Sequence, residues 1–229
     1  MNSEPERLNV LVMHADPIVC TGVIAALREN VAFNAFERRF NASTAEEEQR
    51  IAVVITDYAT ALRAVDRGSE QTRGLPDDAK VLVLTPNDRE ADIRRAIEAG
   101  VFGYVLVGGP LDELVDGVAA LAKGLRYMSP AVAHRMAESL THATLSSREL
   151  EVLRLVADGE ANKVIARELD IELGTVKAHV SAIMSKLGAR SRTQAASIAA
   201  ARGLLSDARD QLHLLPIVGR AQSSQLRMT

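Results

Sequence analysis

Nowhere in the 229 residues is there a run of 18 apolar side chains, so a membrane-spanning helix, which needs about 20 of them, is not expected. The start, MNSEPERLNV, is acidic and lacks a basic region followed by an apolar run; secretion is therefore not expected, and the cytoplasm is the expected location. There is one cysteine, Cys20. It excludes an internal disulfide and reads as a small buried apolar residue. The five histidines, His14, His134, His142, His179 and His213, are dispersed without ligand spacing, so neither a metal nor a cofactor is expected. A nucleophile–base pair and a phosphate-binding glycine loop are also missing, so the chain does not read as an enzyme.

What is present is ordinary for a folded protein: 47% apolar and 25% charged residues. The length and the mixed pattern point to two cores. Net charge is −3, but it is unevenly spread. Residues 1–144 carry 15 basic and 21 acidic side chains, whereas residues 145–205 carry 9 basic and 7 acidic. From Leu173 to Arg192 there is no acidic residue, and Lys177, Lys186, Arg190 and Arg192 fall in that stretch. Such a stretch is a candidate phosphate-binding face, with a solvated helix face as the plain alternative.

Short Val- and Ile-rich runs at 8–14, 51–56, 81–85 and 103–107 read as buried strands. Helical spacing fills the intervals at Val19 to Arg28, Ala59 to Arg67, Asp88 to Ala99 and Leu111 to Lys123. Alternating strands and helices imply a doubly wound parallel sheet covered on both sides. In such sheets the functional crevice lies at the carboxyl ends of the strands, here His14 to Pro17, Asp57, Thr85 and Val107. After Ser129-Pro130 the strand signals stop. Ser146 with Glu149 forms a capping box before an apolar run that Gly159 stops, and helices follow at about Asn162 to Leu169 and Thr175 to Leu187. Ser191 with Gln194 opens a fourth helix to about Gly203, and the final stretch containing LHLLPIV has no assignment.

On the third of these helices Val176, Val180, Ile183, Met184 and Leu187 make one apolar stripe, leaving Lys177, Ala178, Ser181 and Ser185 opposite. Small side chains beside a long cation suit a helix lying in a major groove about 12 Å wide, and an ordinary amphipathic surface helix is the competing reading. The stretch LSSRELEVLRLVADGEANKVIARELDIELGTVKAHVSAIMSKLGARSRTQA, from Leu145 to Ala195, closely resembles the LuxR-type helix-turn-helix of the NarL/FixJ response regulators. By that resemblance Lys177, Ala178 and Ser181 face bases, while Asn162, Lys163, Thr175, His179, Lys186 and Arg190 contact or lie near phosphates. The fourth helix would pair two copies. Three positions depart from the family pattern, one of them Leu173, which occupies a usually polar site. Glu172 stands where Ser or Thr usually caps the recognition helix, and Ser181 stands where a cation is often found. Glu favours the helix dipole but caps less well, by about 1 kcal/mol, and it brings a negative charge near the phosphates.

Residues 8–125 resemble a receiver in strand order and spacing. A receiver uses two carboxylates to hold magnesium, an aspartate to accept phosphate, a hydroxyl and a lysine. Against that pattern His14 and Ala15 replace the two carboxylates and Val107 replaces the lysine, while Asp57 matches the phosphoacceptor, Thr85 the hydroxyl and Tyr104 the switch aromatic. With three of the five groups gone, an incoming phosphoryl group at Asp57 meets no neutralising cation, which costs several kcal/mol. Asp16, one residue from the missing pair, is the only candidate for rescuing a weak metal site, and hydrogen bonding within its loop is the plain reading of Asp57.

The expected architecture is a five-stranded, doubly wound receiver-like domain over 1–126, a linker over 127–144, a four-helix LuxR-type domain over 145–205 and a tail of unassigned role over 206–229. The expected function is sequence-specific binding of double-stranded DNA by a homodimer on an inverted repeat, controlled without standard aspartyl phosphorylation, by its abundance or by a partner protein or small ligand at the receiver-like domain. The alternatives are an interaction protein that pairs with another regulator and binds DNA weakly, and a conventional phosphorylated regulator.

Overall fold

The structure, a computed structural model, describes residues 7–37, 51–65, 76 and 78–205. Residues 1–6 of the acidic start and the 206–229 tail with its LHLLPIV segment fall outside those residues. Six strands form one parallel sheet: β1 (Leu8–Met13), β2 (Phe33–Glu37), β3 (Ile51–Thr56), β4 (Lys80–Thr85), β5 (Gly103–Leu106) and β6 (Tyr127–Met128), in the order β2-β1-β3-β4-β5-β6. Register runs through Leu11 opposite Val54, Val54 opposite Val81, Val83 opposite Tyr104 and Tyr104 opposite Met128.

The central strands are continuous apolar runs because helices cover both faces. Alternate residues point to opposite sides. Val10, Val12, Val53, Ile55, Leu82 and Leu84 meet α1 (Pro17–Arg28) and α4 (Leu111–Ala122) through Leu27, Leu114, Val118 and Leu121. On the other side Val81, Val83 and Tyr104 meet α2 (Tyr58–Val65), α3 (Glu90–Ala99) and Val132 of α5 (Pro130–Ser139). Cys20 is buried in the first of these layers, and burial, with Glu37 adding, pushes its thiol above the ordinary range.

Two strands differ from the sequence expectation. β2 carries polar Asn34 and Glu37 on an edge, so it lacks the apolar run that marks its neighbours. β6, two residues long, lies in the stretch assigned to the linker, so the sheet has six strands rather than five. α5 then follows, with Val132 and Met136 packed on the sheet's second layer.

Beyond it lie α6 (Ser147–Ala157), α7 (Asn162–Glu168), α8 (Leu173–Leu187) and α9 (Arg192–Ala201), joined by a separate core that includes Val152, Leu153, Ile165, Val176, Ile183 and Ala199. The Ser146 and Glu149 capping box is formed in both directions, worth about 1 kcal/mol. α8 stops at Gly188, whose φ of 64° suits a residue without a Cβ. The turn between α7 and α8 contains Asp170 at φ 52°, a left-handed conformation that Asp tolerates better than most residues.

The helical unit meets the sheet-bearing unit at α3. The Glu90 carboxylate, almost fully buried, accepts from Arg202 at 2.6 Å and 2.8 Å and from His142 at 2.7 Å. The Ala91 amide donates to the Arg202 carbonyl at 3.1 Å. A buried carboxylate without such partners would be strongly destabilising.

Candidate nucleic-acid interface

α8 is amphipathic in the sense the sequence predicts: Val176, Ile183 and Leu187 are buried, Val180 and Met184 pack beside them, and Thr175, Lys177, Ala178 and Ser181 are exposed. The helix begins at Leu173, two residues before the expected Thr175. Its N-cap, Glu172, makes no side-chain capping bond. The first backbone amides therefore lack the partner that Ser would supply. On α7, Lys163 is exposed and Asn162 half-exposed at the first turn. Arg190 is exposed just after Gly188, and its amide donates to the Gln194 side chain at 2.7 Å. The Gln194 amide in turn donates to the Ser191 hydroxyl at 3.1 Å, capping α9.

His179 is half-buried at the side of this face. Lys186 is differently placed: its ammonium lies 2.6 Å from Glu149 and is tied into the α6 cap. Burial works to raise the Glu149 carboxyl, but the Lys186 ammonium and the Ser146 hydrogen bonds outweigh it and hold it below the usual carboxylate range. Lys177 and Lys163, by contrast, have no ion pair or hydrogen bond among the described residues. Two cations hold the frame: Arg148, and Arg192, which belongs to the acid-free basic stretch expected to face phosphate. Arg148 donates to the Leu169 carbonyl at 2.7 Å and Arg192 to the Glu160 carbonyl at 2.6 Å. Both reach backbone more than 20 residues away, and no local pattern signals such a contact. On α9, Ala195 and Ala199 face the core, while Thr193, Ser197, Ala200 and Ala201 are exposed.

At the carboxyl ends of the strands the sequence-predicted pocket residues converge. Asp57 follows β3, and its two oxygens accept backbone amides from Thr60 at 2.9 Å and Ala15 at 3.3 Å. The first of these bonds makes Asp57 the cap of α2. His14 accepts the Asp16 amide at Nδ1, 3.0 Å away, and its Nε2 lies 3.2 Å from the Leu84 carbonyl. That pattern assigns the proton to Nε2, because the carbonyl can only accept. Asp16, the candidate for metal rescue, instead caps α1, accepting from Ile18 at 2.8 Å and Val19 at 3.5 Å. Among the described residues, no group of three His, Cys, Asp or Glu side chains could hold a metal ion. Val107 is exposed beside this pocket.

The two remaining groups sit beneath. Thr85 is buried, and its hydroxyl accepts the Asn87 amide at 3.3 Å. Tyr104 is 1% exposed, with its hydroxyl donating to the Asn87 carbonyl at 2.8 Å. Asn87 donates to Asp92 at 2.9 Å, and Tyr58 donates to the same carboxylate at 3.4 Å. Burial pushes the Tyr104 phenol up, with Tyr58 and Asp92 adding, and burial with Asp92 does the same for Tyr58. This network, which sequence reasoning did not find, fastens the first turn of α3 to the sheet.

Residues 143–199 match the family described as bacterial regulatory proteins, luxR family. The transcriptional regulatory protein YvfU of Bacillus subtilis is 41% identical over 125 residues, covering 55% of this chain and 62% of that protein. The chain thus spans less than two thirds of that relative's length. LiaR, a transcriptional regulatory protein of the same organism, is 34% identical over 169 residues, covering 68% of this chain and 80% of LiaR. Among solved structures, the RcsB response regulator of Salmonella typhimurium superposes with a TM-score of 0.63 at 25% identity, covering 85% of this chain and 100% of that one. A two-component response regulator RcsB–DNA complex gives a TM-score of 0.59 at 25% identity over 86% of this chain and 99% of that one.

Proposed function

The chain belongs to the LuxR family of bacterial regulatory proteins, and from that premise we propose that it is a transcription regulator of the response-regulator type, not an enzyme. It binds double-stranded DNA through α8. The observation that carries this reading is the exposed face of Lys177, Ala178 and Ser181 on a helix whose opposite face is locked into the core. Lys177 has reach toward guanine acceptors, and the small neighbours allow close approach. Asn162, Lys163, Thr175, His179 and Arg190 flank that face and fit phosphate contacts. The share of Lys186 in such contacts is reduced by its bond to Glu149. Two copies pair through the exposed side of α9 on an inverted-repeat site.

Control does not pass through standard aspartyl phosphorylation. The support is the chemistry of the pocket: Asp57 is engaged by two backbone amides, His14, Ala15 and Val107 stand where two acids and a cation are needed, and Asp16 is used as a cap. Regulation then falls to a partner protein or a small ligand. An interaction protein with weak DNA binding is favoured by one observation, the uncapped, negatively charged Glu172 at the start of α8. The test is a gel shift on genome-selected fragments before and after incubation with acetyl phosphate and magnesium. Sequence-dependent retardation without phosphate on Asp57 by mass spectrometry is expected. Stoichiometric phosphate on Asp57 would overturn the control argument, and no retardation of any fragment would overturn DNA binding.

A further inference from the structure

The junction between α3 and the helical unit forms an open cleft of about 270 Å³ whose lining includes no residue of α8 or of the Asp57 pocket. Its walls come from three parts of the chain: α3, the connection between α5 and α6, and the ends of α6 and α9. Its lining is mixed, with apolar Leu145, Leu150 and Leu204, three arginines, Arg94, Arg95 and Arg202, and two glutamates, Glu90 and Glu98. Glu90 is already held by Arg202 and His142. Arg94 has only a neutral partner among the described residues, the Ser139 hydroxyl at 3.3 Å. A guanidinium in a cavity wall presents planar paired donors, and its natural complement is a carboxylate.

We propose that this cleft is a binding site for a small organic monocarboxylate, with its carboxylate on Arg94 and its apolar body against Leu145, Leu150 and Leu204. The volume, about 270 Å³, lies just below the range of pockets that hold small molecules, roughly 300–1,000 Å³, so the occupant is short. With Arg202 on Glu90 and Arg95 on Asp92, Arg94 is the guanidinium left to take one negative charge, and Glu98 one turn along α3 keeps that charge to one. A phosphate dianion would bring a second charge toward Glu90 and Glu98. Because the walls belong to both units, an occupant favours the arrangement in which those walls meet, and so acts on the position of the helical unit. This names a ligand class for the control step in the reading above; the binding step itself does not depend on DNA.

Hexanoate is the probe. Titrated calorimetrically into the full chain without DNA, it binds saturably at one site per chain, whereas hexanol and inorganic phosphate do not. Arg94→Ala weakens hexanoate at least about tenfold, the loss expected of a charge-assisted contact, and Ala143→Trp, which fills the cleft from its exposed connection, abolishes it. Unfolding curves confirm that each variant is folded. Exchange of the Ala91 amide, bonded to Arg202 across the junction, slows when hexanoate is present. The proposal is overturned by no saturable binding to the unmodified chain, by undiminished binding to Arg94→Ala, or by displacement of hexanoate with inorganic phosphate. Loss of the DNA-binding reading would appear in gel shifts and leave the titration unchanged.

Discussion

Asp57 and Lys177 are both polar residues at the two surfaces where function is expected, and their surroundings differ in kind. Asp57 is satisfied from within: its oxygens accept the Thr60 and Ala15 amides and it starts α2. Lys177 has no partner among the described residues. A residue that matches a family position can be retained because the fold uses it, and then its presence says little about chemistry. A cation held by nothing internal, on a helix whose packing does not need it, points outward. Lys186 falls on the Asp57 side of this divide, and Lys163 on the Lys177 side.

The largest effect tests whether Lys186 is a frame residue. Glu149→Ala removes both the capping-box acceptor and the ion-pair partner, and is expected to cost about 3 kcal/mol in urea unfolding of a fragment spanning 143–205. Acidification approaches the same loss. The folded carboxyl is held below its unfolded value, so its stabilisation is complete above the unfolded value near about 4.3 and disappears as pH falls through the folded one. The unmodified fragment therefore loses stability below about pH 4.3 more steeply than Glu149→Ala; parallel pH profiles would assign Lys186 to the outward-facing group instead.

Next in size is Lys177→Ala, expected to reduce discrimination between a cognate and a scrambled site by roughly 1–3 kcal/mol with little change in melting temperature. Lys163→Ala should weaken all sequences alike and lower the salt slope by about 0.9. Equal effects of the two on discrimination would erase the distinction between base and phosphate contacts. Glu172→Ser, which supplies the missing cap, is expected to add about 1 kcal/mol to the same fragment's stability and to tighten DNA binding. The smallest expected change in DNA binding is that of Asp57→Ala. It should stay within about 0.5 kcal/mol of the parent in DNA affinity while lowering stability by about 1 kcal/mol through the lost α2 cap. A large loss of affinity would mean the pocket speaks to α8 after all.

Most of the fold was legible because periodicity carries it. Val10 and Val12 alternate with Leu11, and Val176, Ile183 and Leu187 repeat at helical spacing, so the strands and helices that build the cores announce themselves. β2 did not, since an edge strand with Asn34 and Glu37 has no apolar run to show. β6 is too short for any pattern, and exists because the Tyr127 and Ser129 amides donate to the Phe102 and Tyr104 carbonyls, a tertiary fact. The candidate interface was legible as a list of positions and illegible as a set of partners. Nothing local reveals that Lys186 reaches Glu149 across 37 residues or that Glu90 meets Arg202 across 112.

The short β6 and the docked α5 have a consequence for reach. Because α5 is seated on the sheet through Val132 and Met136, the leash between the two units is only residues 140–146. Fully drawn out, seven residues extend about 25 Å. One turn of duplex DNA advances about 34 Å. The start of α6 therefore stays within less than one duplex turn of the end of α5, and any placement of the helical unit beyond that reach must carry the sheet-bearing unit with it.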